Sequence, residues 1–157
     1  MEKFVSIGRN MAIADKYFKL YLRDALQPYD LNAAEGVVML MMFQKSEKSD
    51  CSIIDGKTQD EIIREIHYDK GVMTRIMKEL EQKEYVIREH NPLDSRSYIF
   101  SLTEKGSDFR KPMMDILQNW YNRVFGGIKP EMLSAAEEVL KKTAQNAAMF
   151  YCEKNPQ

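Results

Sequence analysis

Residues 58–82 read TQDEIIREIHYDKGVMTRIMKELEQ, and the fold follows from the way this stretch is punctuated. Thr58 followed by Glu61 is a pattern in which a hydroxyl and a carboxylate each take a backbone N–H that the first turn of a helix leaves unpaired. Ile62, Ile63 and Ile66 then give an apolar face to a helix of about two turns. The chain turns at His67-Tyr68-Asp69, where Asp69 is placed to cap another helix. In that helix Val72, Met73, Ile76, Met77 and Leu80 fall on one side, and Lys70, Thr74, Arg75 and Lys78 fall on the other. Two short helices joined by so tight a turn form a helix-turn-helix candidate.

Downstream, the pattern changes from the helical period to the period of a strand. Tyr85, Val86 and Ile87 lead into Arg88, and Tyr98, Phe100 and Leu102 alternate with Ser97, Ile99 and Ser101. Residues His90 to Arg96 between them are rich in turn formers, so the segment predicts a hairpin. Thr103 caps a further helix carrying Phe109, Met113, Ile116, Leu117, Trp120 and Val124, in which Pro112 marks a kink or a new start. Gly126-Gly127 ends it, and Pro130 opens a last helix that stacks Leu133, Ala136, Leu140, Ala144, Ala147 and Tyr151.

Upstream, Phe4, Ile7, Met11, Ala14, Phe18, Tyr21, Leu22 and Leu26 form a helical stripe that Pro28 stops. Ile13, Tyr17 and Leu20 widen the stripe to a second face, which a partner chain can cover. Asn32 and Glu35 form another capping pair ahead of the apolar run Gly36 to Phe43, which reads as a buried helix. Gln44 to Gly56 reads as a polar loop with a short strand at Ser52-Ile53-Ile54. The predicted fold class is mainly α with a small β-hairpin wing: a winged helix-turn-helix between helical ends, in a single domain over 1–157.

Composition narrows the function. The chain has 157 residues, 44% apolar and 30% charged, which suits one soluble globular domain. Its 23 Lys and Arg against 24 Asp and Glu leave a net charge of -1, so a nucleic-acid surface has to be local. Between Thr58 and Gly106, eight basic residues face ten acidic ones, yet Lys70 to Lys78 holds three bases and no acid. Cys51 and Cys152 cannot make a disulfide framework or a four-cysteine metal site, and they read as inert thiols. His67 and His90 stand 23 residues apart without metal-ligand spacing, so no metal and no cofactor are expected. There is no Gly-rich phosphate loop, G-x-S-x-G or H-E-x-x-H pattern, which argues against an enzyme. The longest apolar run, Val37 to Phe43, is far short of the roughly 20 residues that span a bilayer. With no signal-like run at the Met1 end, the cytoplasm is the expected compartment.

These parts suit duplex DNA for geometric reasons. A helix fits the major groove, where Arg75 or Lys70 can bond guanine N7 and O6 and Thr74 can meet a thymine methyl or a phosphate. A hairpin reaches the adjacent minor groove, whose negative potential attracts an inserted guanidinium such as Arg96.

The runs Thr58-Gln59-Asp60-Glu61-Ile62, Asp69 to Arg75, Leu80-Glu81-Gln82-Lys83, Asp94-Ser95-Arg96 and Leu102-Thr103-Glu104-Lys105-Gly106 resemble the MarR family of bacterial transcriptional regulators. The resemblance is close over about 50 residues, and its specific part is D-x-R in the hairpin followed by L-T-x-x-G. It implies a homodimer whose end helices, about 3–27 and 104–153, intertwine around winged modules of about 52–103, binding a pseudo-palindromic operator as a repressor. It puts Thr58 and Gln59 near phosphates, Lys70, Gly71, Thr74 and Arg75 in the major groove, and Arg96 in the minor groove with its side chain held by Asp94. Lys78, Arg88 and Ser95 complete the candidate DNA-binding set. The chain departs from the family at Glu84, where the helix-to-strand junction usually has Gly, and at His67, where a small residue is usual. The methionines Met39, Met41, Met42, Met73, Met77, Met113 and Met114 suit a core, or a cavity for a small aromatic or apolar effector. The alternative, which the acidic winged module favours, is a protein-interaction module on the same dimeric scaffold.

Overall fold

The structure is a computed structural model that describes the backbone of residues 2–43, 56–66, 68–94 and 96–154, and the side chains of all but the first three and last three of these. Helix α1 (Glu2–Leu26) runs into a 3-10 turn, Gln27–Tyr29, that has Pro28 at its start. Helix α2 (Ala33–Met42) opens with both halves of the predicted capping box: Asn32 Oδ1 accepts the Glu35 N–H at 3.0 Å, and Glu35 Oε2 accepts the Asn32 N–H at 2.7 Å. A two-residue strand β1 (Lys57–Thr58) leads into α3 (Gln59–Ile66) and α4 (Lys70–Gln82). The hairpin is β2 (Val86–His90) and β3 (Tyr98–Leu102), followed by α5 (Glu104–Asp108), α6 (Arg110–Val124) and α7 (Pro130–Lys154). The mainly helical fold with a hairpin wing is as predicted. The strand at Ser52–Ile54 and the readings of Cys51, His67 and Ser95 lie outside the described residues.

The sheet has three antiparallel strands in the order β1-β3-β2, so the wing includes a strand that the alternation pattern did not reveal. A two-residue strand carries no periodicity; β1 exists because Lys57 and Thr58 pair with Phe100 and Ile99. Ile99 was expected on the polar side of β3, and it is buried, with Thr58 across from it in the sheet.

Two compact units divide the chain, residues 1–118 and 119–157. The first has one apolar core, in which Leu22 and Leu26 of α1, Val38 and Met39 of α2, and Ile62 of α3 meet Met73, Met77 and Leu80 of α4. Phe109 ties the far side together, its ring 5.0 Å from Tyr29 and 5.5 Å from Tyr85. Of the predicted buried face of α4, Met73, Ile76, Met77 and Leu80 are inside, but Val72 is 39% exposed. At 100° per residue, Val72 lies about a quarter-turn from the middle of that set and falls off the edge of the contact. The helix after Thr103 breaks at Phe109, and Pro112 stands in the first turn of α6, where its missing N–H costs nothing. In the second unit α6 ends before Gly127, whose φ of +84° suits glycine, and Pro130 begins α7.

Candidate nucleic-acid interface

Local hydrogen bonds build the helix-turn-helix. Thr58 and Glu61 cap α3, with the Thr58 N–H at 2.7 Å and the Thr58 hydroxyl at 2.8 Å from Glu61 Oε2. Asp69 Oδ1 accepts the N–H groups of Gly71 at 2.7 Å and Val72 at 3.3 Å, which fixes the start of α4. Gln59 bridges the two helices: its Nε2 donates to Thr74 Oγ1 at 2.8 Å and faces the Lys70 carbonyl at 3.5 Å. The Thr74 hydroxyl in turn donates to Lys70 O at 2.8 Å. Its proton is therefore engaged, and what Thr74 offers outward is its methyl group and one remaining lone pair. Thr58 and Gln59 likewise spend their donors on the motif itself.

Lys70, Gly71, Thr74, Arg75 and Lys78 are all exposed on α4. No ion pair among the described residues involves Lys70, Arg75 or Lys78. Several acids that make the module negative overall are tied to the scaffold: Glu61 in its cap, Glu65 against Lys57, Asp69 at the α4 start and Asp94 in the hairpin turn.

The wing turn is built from side chains that imitate backbone. Asn91 Oδ1 accepts the Leu93 N–H at 2.9 Å, and Asp94 Oδ1 accepts the Arg96 N–H at 3.0 Å. Asp94 was expected to hold the Arg96 side chain; it holds the Arg96 backbone, and no ion pair joins the two side chains. Arg96 is exposed next to the turn. Further down the wing, the Arg88 guanidinium lies 3.5 Å from the centre of the Tyr98 ring, and the His90 ring is 4.7 Å from it.

Two features behind this surface had no clear signal in the sequence. Glu35 is fully buried, and both its carboxylate oxygens lie 2.9 Å from Lys83 Nζ at the end of α4. Lys57 is buried as well, donating to Met41 O at 2.8 Å and to Glu65 at 3.0 Å. The L-T-x-x-G motif has a steric cause: a Cβ on Gly106 would come within 2.1 Å of the Tyr85 carbonyl, which accepts the Thr103 N–H at 3.1 Å. Only glycine lets α5 approach the helix-to-strand junction so closely. At that junction Glu84 has a φ of +62°, in the left-handed region that glycine favours.

An open cavity of about 670 Å³ lies in the first unit, lined among others by Pro28, Tyr29, Tyr85, Lys105, Phe109 and Pro112. None of the methionines that suit a core or a cavity lines it, and Met39, Met42, Met73, Met77 and Met113 take the core reading. Burial pushes the Tyr85 phenol up from its ordinary value, with further contributions from Asp30, Tyr29 and Glu35, so it stays a neutral donor to Tyr29 O at 2.8 Å. The described residues contain no group of three or more His, Cys, Asp and Glu suited to a metal, and no helix long and apolar enough to cross a membrane.

Residues 51–98 match the sequence model of the MarR family. The HTH-type transcriptional regulator BilQ of Clostridioides difficile (strain CD3) is 31% identical over 122 residues, which is 78% of this chain and 76% of that protein. Among solved structures, a MarR transcriptional regulator from Methanosarcina mazei Go1 superimposes with a TM-score of 0.78 at 22% identity, covering 92% of this chain and 97% of that one. The S. aureus MepR-DNA complex superimposes with a TM-score of 0.76 at 16% identity, covering 88% and 96%. Both structures share the winged-helix fold.

Proposed function

This chain belongs to the MarR family of HTH-type transcriptional regulators, and from that premise we propose that it is a cytoplasmic, ligand-responsive repressor that binds a pseudo-palindromic operator as a homodimer. The observation that carries the DNA reading is the α4 surface: Lys70, Arg75 and Lys78 are exposed with no acidic partner among the described residues, while Met73, Ile76, Met77 and Leu80 fasten the opposite side to the core. On this reading Arg75 and Lys70 bond guanine edges and Thr74 meets a thymine methyl in the major groove. Gly71 faces the same groove, Arg96 enters the minor groove with Arg88 on the same wing, and Thr58 and Gln59 stand near phosphates; Ser95 is a further candidate contact. The fold shared with MepR, whose structure is a DNA complex, supports this use of the scaffold.

The homodimer reading is supported by exposed apolar side chains in each of the two units. Val5, Ile7, Met11, Ile13 and Tyr17 are exposed on α1, and Met132, Val139, Leu140 and Met149 are exposed on α7. Runs of this kind mark association surfaces, and here a second copy of the chain is the occupant. The chain then acts as one functional domain over 1–157, with the winged module at about 52–103 and dimerisation helices at about 3–27 and 104–153. Two-fold symmetry would set the α4 helices about 34 Å apart, one turn of duplex. A small aromatic or apolar effector that prefers another spacing would release the operator, and the cavity beside Tyr29 and Phe109 offers ring surface for it.

A gel-shift assay against the region upstream of the chain's own gene tests the proposal. Specific retention at moderate salt, lost with a scrambled duplex, is the expected result. Retention of neither duplex by folded protein would favour the protein-interaction reading, which the acidic winged module supports.

A further inference from the structure

We propose that Tyr98 is a positioning residue for DNA binding: its ring holds the Arg88 guanidinium in place on the wing before DNA arrives. The inference rests on the reading that the hairpin contacts DNA. The strand register pairs Arg88 with Phe100 and His90 with Tyr98, which makes Arg88 and Tyr98 diagonal neighbours on one face of the hairpin. The guanidinium sits 3.5 Å from the ring centre, within the range of a cation–π contact. The ring is itself fixed, packed against the core on one side and touched by the His90 ring at 4.7 Å. Glu89, the nearest acid in sequence, pairs with Ile99 and so points to the other face of the sheet. No carboxylate among the described residues is ion-paired with Arg88.

Stacking engages the flat face of a guanidinium and leaves its in-plane N–H donors for a phosphate. An exposed arginine otherwise loses several rotatable bonds of freedom when it binds; here that freedom is spent in advance on Tyr98. Tyr98 thus determines how well Arg88 contributes, without needing to touch DNA.

The test measures affinity of the full chain for a fluorescein-labelled duplex from upstream of its own gene, by anisotropy over a series of salt concentrations. The proteins are the parent, Tyr98→Phe, Tyr98→Leu, Arg88→Ala and the Arg88→Ala/Tyr98→Leu double variant, each with a thermal unfolding curve. Tyr98→Phe should match the parent. Tyr98→Leu should weaken binding about as much as Arg88→Ala, and both should reduce the salt slope by about one unit per bound chain. The double variant should bind no more weakly than Arg88→Ala alone. If Tyr98→Leu does not fold, Tyr98→Ile, which keeps a strand-favouring side chain, replaces it in the same comparison. A folded leucine or isoleucine variant that binds like the parent overturns the proposal, as does an additive loss in the double variant. An Arg88→Ala variant that binds like the parent overturns it too while leaving the DNA reading intact, whereas a folded parent that binds no duplex overturns both.

Discussion

Replacing Lys83 by methionine should destabilise the protein through a residue 48 positions away. Glu35 has no exposed surface, and its carboxylate is held by two contacts of 2.9 Å to Lys83 Nζ and one of 2.7 Å from the Asn32 N–H. Methionine preserves the length and apolar stem of lysine but leaves a buried anion with one hydrogen bond among the described residues, that from the Asn32 N–H. Breaking a fully buried pair from one side costs about 3–5 kcal/mol. The Lys83 side chain is 25% exposed, so water can partly solvate the vacated space, and about 2–3 kcal/mol is the better figure. In thermal unfolding followed by far-ultraviolet circular dichroism, that corresponds to a Tm lower by roughly 6–9 °C for a chain of this size. Adding Glu35→Gln to Lys83→Met should recover much of the loss, because a neutral amide oxygen can still accept the Asn32 N–H. A loss below about 0.5 kcal/mol, or no recovery in the double variant, would refute the argument that an uncompensated charge is the cause.

Three other perturbations have definite signs. Glu84→Gly should raise stability by about 0.5–1 kcal/mol in urea denaturation, since it relieves a left-handed backbone at φ +62°; a destabilised variant would mean that the Glu84 side chain makes a compensating contribution. Gly106→Ala should lower stability by about 1–3 kcal/mol or prevent folding, because the new methyl would meet the Tyr85 carbonyl, and an unchanged midpoint would contradict the close packing of α5. The Tyr85 phenol is pushed up in the folded protein, mainly by burial, so its contribution is complete below the ordinary tyrosine value near 10 and declines as pH rises through the folded value. Tyr85→Phe should therefore flatten the alkaline limb of the stability profile, while losing about 1 kcal/mol at neutral pH with the bond to Tyr29 O; an unchanged alkaline limb would count against it.

What the sequence disclosed was mostly local. The caps at Asn32, Thr58, Asp69 and Thr103 need only residues two or three apart, and all four form. The hairpin was legible because His90 to Arg96 is both short and full of turn formers. Contacts set by tertiary packing were not. Glu35 reads as an ordinary cap residue, and nothing near it in the chain announces Lys83. Val72 matched the apolar side of α4 by periodicity, yet it stands at the edge of the buried face and stays 39% exposed. Arg75 and Lys78 were legible as exposed bases from their spacing alone. The engagement of Gln59 with Thr74 was not, because it depends on how α3 crosses α4. The Arg88–Tyr98 stack was in principle accessible, given the register of the hairpin, but a tyrosine alternating with Phe100 looks like any strand residue.

The central claim is that the outer surface of α4 reads DNA sequence, and Arg75 is its most informative position. Anisotropy measurements of the parent and Arg75→Ala against the upstream duplex and a scrambled duplex of equal length test it directly. The parent should prefer the upstream duplex. Arg75→Ala should lose about 1–3 kcal/mol, or roughly 5- to 150-fold, for each base pair that it reads, while its binding to the scrambled duplex changes much less. A folded Arg75→Ala protein with the parent's full preference would contradict the claim.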